Sequence, residues 1–243
     1  MMSLNTYAQL TPVNYSDKDQ KLTGLHGTPK KEKTNKAGIL ILPAWKGIQD
    51  HDKEVATKLS EMGYHTFVAD IYGEGNYPKD AKEAGALSSY YKKNITEYQH
   101  RIQLALDELI KSGASKDKIV IIGYCFGGTG AVEAARINMP VKGIVSFHGG
   151  LGRDSNRVVT NIFPRLLICH GADDPYVSKE EISLFQDEMR KGKADWQMNY
   201  YANAVHAFTE KTAGDDNSRG AAYNFNADKR SWADFMNFLQ SVL

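Results

Sequence analysis

The chain alternates short apolar runs with longer amphipathic stretches. Apolar runs of about five residues, rich in valine, isoleucine and leucine, indicate buried strands, and the stretches between them have helical spacing. The predicted strands are Gly38–Leu42, His65–Asp70, Lys118–Ile122, Val141–Phe147, Arg165–Cys169 and Trp196–Tyr201. The predicted helices are Gln49–Met62, a mostly helical stretch from about Lys79 to Ser112, Cys125–Asn138, Lys179–Lys191 and Asp228–Leu243. This order predicts an α/β fold: a mainly parallel sheet of about seven or eight strands with helices on both faces.

The opening segment has a different pattern. Thr11–Tyr15 and Lys21–His26 alternate in polarity and predict an antiparallel hairpin. The lysine-rich segment 30–36 that follows predicts a solvated loop. No linker-like change in composition divides the remainder. We therefore expect a single domain over residues 1–243, in which roughly the first 36 residues form a peripheral hairpin and loop.

Composition narrows the possible partners. The 243 residues carry a formal net charge of +1, which gives no reason to expect nucleic acid or an anionic membrane surface as a partner. No apolar run is long enough to span a bilayer. Residues 1–20 lack the blocks of a signal peptide, so a cytoplasmic location is expected. A chain trimmed of an export signal would look the same, which keeps a periplasmic location open.

One segment carries a candidate nucleophile. The β-branched run 119–122 leads into Gly123-Tyr124-Cys125-Phe126-Gly127, and a small-residue helical segment follows. Gly-x-Cys-x-Gly between a strand and a helix is the pattern of a nucleophile elbow, with cysteine where serine is usual. Glycines are expected on both sides because larger side chains would collide with the neighbouring strand and helix. The only other cysteine is Cys169, and the two thiols are expected to be free.

Partners for Cys125 are expected at the carboxyl ends of other strands, where reactive groups of such sheets lie. Asp173 and Asp174 follow the strand that contains Cys169, and His206 follows the strand that ends at Tyr201. Nucleophile, acid and histidine in this order are the triad order of α/β-hydrolases.

This set of residue types fits acyl transfer. The histidine takes the thiol proton, the thiolate attacks an acyl carbon, and the aspartate orients the imidazole. Backbone N–H groups must stabilise the negative oxygen of the tetrahedral intermediate. The elbow pattern predicts the N–H of Phe126 and one from the loop near Trp45.

Several motifs together resemble the dienelactone hydrolase family. They are Gly-Tyr-Cys-Phe-Gly-Gly at 123–128, Phe147-His148-Gly149, Gly171-x-x-Asp174-x-x-Val177, Val205-His206-Ala207-Phe208, and Tyr223-Asn224 followed by Lys229-Arg230-Ser231-Trp232. The resemblance covers nearly everything from about residue 38 onward. It implies an α/β-hydrolase fold, no metal or organic cofactor, and hydrolysis of a small ester or lactone by a Cys-His-Asp triad. It also favours Asp174 over Asp173.

Three positions depart from that family pattern. Family members that open dienelactone carry a glutamate where Ala44 aligns, and two arginines that hold the substrate carboxylate where Glu74 and Glu210 align. A carboxylate facing two acids would be repelled. The chain is therefore expected to prefer neutral or cationic esters over dienelactone.

Other residues at strand ends are candidates for contact with substrate. Trp45, Tyr72, Tyr124 and Tyr176 can form an aromatic wall or pack in the core, and His148 can line the pocket or serve the structure. Together with Glu74 and Glu210 they are the predicted substrate-binding residues.

Alternative interpretations attach to three other features. Cys169 resembles the nucleophile of an intracellular-protease family, but its apolar strand indicates core. Gly123-x-x-x-Gly127-x-x-Gly130 lies too far along the chain for a dinucleotide loop. Asp50-His51-Asp52 fits a helix start better than a metal site. A ligand-binding protein with vestigial turnover is the alternative function, thioester or amide hydrolysis remains open, and neither the oligomeric state nor the physiological substrate follows from the residues.

Overall fold

The structure is a computed structural model that describes residues 10–31 and 36–243. The chain divides into two compact units, one up to Ile119 and the other from Val120 onward, and each is described by itself. The predicted loop over residues 30–36 lies partly outside the described residues, as does part of the stretch searched for a signal peptide. The single-domain expectation stays a prediction. Among the described residues, no helix is long and apolar enough to cross a membrane.

The described part of the first unit contains four strands and three helices. The strands are β1 (Leu10–Asp17), β2 (Gln20–Gly27), β3 (Gly38–Leu42) and β4 (His65–Val68), and the helices are α1 (Asp50–Glu61), α2 (Ala81–Lys93) and α3 (Ile95–Lys111). The strands lie in the order β1-β2-β4-β3. β1 and β2 form the antiparallel hairpin that their alternation predicts, β2 pairs antiparallel with β4, and β3 pairs parallel with β4.

Two local features of the first unit answer sequence questions. The backbone N–H of Gln49 donates to the Asp52 carboxylate at 2.8 Å, so Asp52 acts as a helix cap at the start of α1. Burial raises the pKa of Asp52 to about 7. The long helical stretch predicted from residue 79 to 112 is two helices, because Asn94 leaves helical geometry with φ −104° and ψ 60°.

The second unit has the βαβ order that the apolar pattern predicts. Its strands are β5 (Ile119–Tyr124, which begins at the last residue of the first unit), β6 (Gly143–Phe147), β7 (Arg165–Gly171) and β8 (Trp196–Tyr201). Its helices are α4 (Phe126–Arg136), α5 (Lys179–Lys191) and α6 (Phe225–Val242), with two short 3₁₀ helices at Lys211–Ala213 and Asn217–Arg219. The four strands are parallel and adjacent in chain order.

Burial explains this arrangement. Every residue of β5 and β6 is buried, as parallel strands covered on two faces require. Every residue of α4 is buried too: most of its side chains are small, and its two charged residues, Glu133 and Arg136, form an ion pair at 2.7 Å. Because parallel strands end at the same edge, the segments after β5, β6, β7 and β8 meet there. The predicted mainly parallel α/β architecture is confirmed.

Candidate active site

Cys125 occupies a strained turn between β5 and α4. It has φ +51° and ψ −111°, and α4 begins at the next residue, Phe126. A non-glycine residue held at positive φ costs on the order of 1–3 kcal/mol, so the surrounding structure must enforce it. The turn leaves the side chain of Cys125 partly exposed between two buried elements.

Close packing explains the glycine before the turn. A Cβ on Gly123 would lie 2.0 Å from the carbonyl oxygen of Gly127, a distance no side chain tolerates. One turn later, a Cβ on Gly128 would lie 2.7 Å from Oγ of Ser146. The glycines therefore let α4 start directly against β5 and β6, and this contact fixes where Cys125 points.

His206 lies in the loop after β8. Its imidazole Nε2 lies 3.0 Å from Cys125 Sγ, within hydrogen-bonding distance of the thiol. The backbone of His206 is held on both sides: its N–H donates to the Gly220 carbonyl at 3.2 Å, and its own carbonyl accepts from Ala222 N–H at 3.0 Å. Sequence patterns gave no signal for this pairing with the segment 220–222, which anchors the loop.

Asp174 completes the chain of hydrogen bonds. Its Oδ2 lies 2.8 Å from His206 Nδ1, and its Oδ1 accepts the Tyr176 N–H at 2.8 Å. The carboxylate is fully buried, whereas the neighbouring Asp173 is exposed. Of the two aspartates that the residues left open, Asp174 is therefore the one that contacts the histidine.

These contacts favour the protonated imidazole. Burial lowers the pKa of His206, but the hydrogen bonds to Asp174 and Cys125 outweigh burial and raise the pKa to about 10. A carboxylate on one ring nitrogen and a sulfur that can carry negative charge on the other thus stabilise an imidazolium. That is the charge state a histidine reaches after it accepts a thiol proton.

A second imidazole lies beside the first. His148, directly after β6, is fully buried, and its ring stands edge-on to His206 with centroids 5.3 Å apart. Its Nδ1 lies 3.2 Å from the Cys125 backbone nitrogen, and its Nε2 lies 2.8 Å from Thr209 Oγ1. Sequence reasoning named His148 but missed Thr209, which no motif distinguishes from any other loop threonine.

Comparison with known proteins assigns the family. The model of the dienelactone hydrolase family matches residues 22–243. The chain belongs to that family. The resemblance drawn from the sequence motifs is confirmed, and with it the assignment as a carboxylic-ester or lactone hydrolase with the α/β-hydrolase fold.

Individual relatives agree with this family. A dienelactone hydrolase-like promiscuous phosphotriesterase from metagenomic libraries has 33% sequence identity and a TM-score of 0.91, covering 98% of this chain and 99% of that one. A Bradyrhizobium protein named "probable 2-oxo-3-(5-oxofuran-2-ylidene)propanoate lactonase" is 25% identical over 182 residues, which are 71% of this chain and 73% of the relative. An uncharacterized protein of Caenorhabditis elegans is 29% identical over 145 residues, 58% of this chain and 92% of the relative.

The residues predicted to form the oxyanion hole and to bind substrate in this family member differ in position and in burial. In the second unit, Phe126 is the first residue of α4, so its N–H lies at the positive end of the helix dipole. Tyr176 is 61% exposed, and its ring stands edge-on to His206 at 5.2 Å. Tyr124 is buried and stacks on Phe147 at 4.8 Å, which favours its packing interpretation. Glu210 is partly exposed, and its N–H donates to the Ala207 carbonyl.

The remaining candidates belong to the first unit. Tyr72 is buried, and its hydroxyl donates to the Trp45 carbonyl at 2.7 Å. Trp45 itself is partly exposed. Glu74 is exposed and accepts a hydrogen bond from the Thr23 hydroxyl at 3.0 Å. Their substrate-binding roles and the oxyanion role of the Trp45 loop stay predictions.

The second cysteine of this hydrolase lies in the core. Cys169 is fully buried in β7, and its Sγ lies 3.5 Å from the Tyr201 hydroxyl. Burial raises the pKa of the Cys169 thiol to about 12. Both observations favour the core interpretation over the protease-like one. Within residues 10–31 and 36–243, no group of three histidine, cysteine, aspartate or glutamate side chains is placed to hold a metal ion.

Proposed function

We propose that the protein hydrolyses a small carboxylic ester or lactone with Cys125 as nucleophile, His206 as general base and acid, and Asp174 as the residue that orients His206. The observation that carries this proposal is the unbroken sequence of contacts from Sγ to Nε2 at 3.0 Å and from Nδ1 to Oδ2 at 2.8 Å. A nucleophile, a base and an orienting group within hydrogen-bonding distance are the requirements of covalent acyl transfer.

Acylation follows from these positions. The thiol proton passes to His206 Nε2, and the thiolate sulfur attacks the carbonyl carbon to form a tetrahedral intermediate. The N–H of Phe126 at the start of α4 stabilises the resulting oxyanion. The intermediate collapses to a thioester on Cys125, the carbon–oxygen bond to the leaving group breaks, and His206 returns its proton to the departing alkoxide.

Deacylation uses the same groups in the second half of the cycle. A water molecule gives its proton to His206 and attacks the thioester carbon. The carbon–sulfur bond breaks, the carboxylic acid leaves, and the proton returns to the Cys125 sulfur. Asp174 stabilises the imidazolium that forms in each half, as the raised pKa of His206 supports.

We further propose that the preferred substrates are neutral or cationic rather than anionic. The proposal rests on the sequence motifs, by which Ala44, Glu74 and Glu210 align where dienelactone-opening members carry a glutamate and two carboxylate-binding arginines. Two acids in place of two arginines would repel a substrate carboxylate. The aromatic side chain beside the triad, Tyr176, offers an apolar surface to an acyl or alcohol group.

A panel of p-nitrophenyl esters tests the proposal with a matched pair of variants. Cys125→Ala should lower turnover by about four orders of magnitude because it removes the nucleophile. Cys169→Ala removes the buried thiol and should retain turnover within about threefold. Ligand binding without cysteine-dependent turnover would select the alternative, a binding protein on a hydrolase scaffold. Turnover of dienelactone as fast as the best simple ester would remove the substrate preference.

Phosphotriester hydrolysis is a second candidate activity. The observation that favours it is the 33% identity, over 98% of this chain, to the promiscuous phosphotriesterase. The Cys125 thiolate would attack phosphorus and displace an aryloxide, and water would then release the phosphoryl group from sulfur. A diethyl p-nitrophenyl phosphate ester added to the same panel should be cleaved by the Cys169→Ala variant and not by Cys125→Ala.

A further inference from the structure

His148 occupies a conformation that its surroundings must enforce. It follows β6 with φ +41°, a left-handed backbone conformation that is uncommon for residues other than glycine. Its backbone N–H donates to the Cys169 carbonyl at 2.8 Å, and its side chain is fully buried. The ring is packed edge-on against Phe208 at 5.0 Å as well as against His206. A buried polar ring held in this way has a defined set of partners.

Those partners determine which ring nitrogen of His148 carries the proton. The Cys125 backbone N–H is a donor, shared between the Phe147 carbonyl at 3.0 Å and His148 Nδ1 at 3.2 Å. Nδ1 must therefore accept and carries no proton. In the neutral ring the hydrogen is then on Nε2, from which it is donated to Thr209 Oγ1 at 2.8 Å. The contacts thus specify one neutral tautomer of His148.

The two hydrogen bonds of His148 reach the two segments that carry Cys125 and His206. One ends on the backbone of Cys125, and the other ends on Thr209, in the loop that carries His206. We propose that His148 is a positioning residue that holds the cysteine turn and the histidine loop at the separation at which Sγ and Nε2 are 3.0 Å apart. This inference rests on the proposed Cys125–His206 chemistry and adds to it a residue that acts through the positions of the other two.

The same geometry separates the roles of the two imidazoles. A proton on Nδ1 of His148 would face the Cys125 N–H, so the ring is a poor acceptor for the thiol proton. His206 has one nitrogen on the thiol and the other on a carboxylate, which suits it to accept and release that proton. In this proposal His206 transfers the proton, and His148 maintains the distance between Cys125 Sγ and His206 Nε2.

Thr209 provides the sharpest test, because its hydroxyl can be removed without changing its shape. Thr209→Val deletes the acceptor for His148, whereas Thr209→Ser keeps it. With a p-nitrophenyl ester, Thr209→Val should lower kcat about tenfold and leave KM within about twofold, since small displacements of reacting groups reduce the chemical step. Thr209→Ser should stay within about twofold of the unaltered protein in both constants. Thermal unfolding confirms that both variants are folded at the assay temperature.

A readout without substrate separates this inference from the proposed function. The rate at which iodoacetamide alkylates Cys125 should fall in Thr209→Val and not in Thr209→Ser, because the His206–Cys125 contact loosens. If no variant or unaltered protein cleaves esters but this alkylation pattern holds, the proposed function fails and the positioning role stands. Equal kcat and equal alkylation in Thr209→Val and the unaltered protein would overturn the positioning role alone. Equal losses in Thr209→Val and Thr209→Ser would overturn it too.

Discussion

The β5–α4 turn and the middle of β7 each carry one of the two cysteines, and the two regions treat the thiol in opposite ways. At the turn, backbone strain exposes part of Cys125, and an imidazole lies 3.0 Å from its sulfur. In β7, Cys169 is surrounded by core, its nearest polar partner is the Tyr201 hydroxyl, and burial raises its pKa to about 12. The two thiols thus differ in exposure and in hydrogen-bond partner, and this difference supports the proposed role of Cys125.

Under the proposed function, backbone placement decides which of the two thiols reacts. β7 continues two residues past Cys169 before its loop begins, so that cysteine never reaches the edge of the sheet where loops meet. β5 ends directly before Cys125, and the close approach of Gly123 to Gly127 starts the next helix at once. The proposed nucleophile is therefore the cysteine that directly follows the end of a strand.

Alkylation should show the largest contrast between the regions. At neutral pH a thiol with a pKa near 12 is ionised more than about a thousandfold less than a free thiol, whose pKa is about 8.5. We expect iodoacetamide to modify Cys125 at least a thousandfold faster than Cys169 in the folded protein, measured by mass spectrometry of peptides. Unfolding in denaturant should bring the two rates together. Comparable alkylation rates of Cys125 and Cys169 in the folded protein would contradict this difference between the two thiols.

Substitutions of the two adjacent aspartates, Asp173 and Asp174, should differ in their effect on kcat by an intermediate amount. Asp174→Asn removes the charge that faces His206 and should lower kcat on the order of a hundredfold. This is less than for a serine nucleophile, because a thiol needs less help to ionise. Asp173→Asn changes an exposed neighbour and should stay within about twofold. Steady-state kinetics on one ester measures both variants, and similar losses in the two would argue against the assigned acid.

Much of this organisation could be predicted from the sequence. The strands of the second unit, the helix Lys179–Lys191 and the residues of the proposed triad follow from apolar runs, from glycine spacing and from which residues follow each strand. These are local signals, because a strand end and the residue after it are adjacent in the chain. The chain order of nucleophile, acid and histidine added the only long-range information that was needed.

The supporting contacts could not be predicted in the same way. The His148–Thr209 hydrogen bond joins residues 61 positions apart, and the pairing of His206 with Gly220 and Ala222 depends on how an irregular loop folds. Neither leaves a periodic signal. Tyr124 shows the converse difficulty: it directly precedes the proposed nucleophile, yet its ring packs in the core against Phe147. Which face a residue presents at a strand end depends on the register of the whole sheet.

The pH dependence of the free energy of unfolding should show the smallest difference between variants of the two cysteines. The folded state raises the pKa of His206 from 6.5 to about 10, so the stability that this group contributes is complete below pH 6.5 and is lost as the pH rises through 10. Cys125→Ala removes one of the two partners that raise this pKa. The alkaline loss of the free energy of unfolding should therefore begin at lower pH in Cys125→Ala than in Cys169→Ala.

The acid side provides the control for that comparison. Burial lowers the pKa values of His26 and His170 below 6.5, so the stability they contribute is complete above pH 6.5 and is lost as the pH falls. The imidazole beside Cys125 Sγ is that of His206, whose pKa is raised rather than lowered. Chemical unfolding monitored by circular dichroism should show the two cysteine variants losing stability together in acid and separating only in alkali. Separation in acid, or coincidence in alkali, would mean that the Cys125–His206 contact does not stabilise the imidazolium.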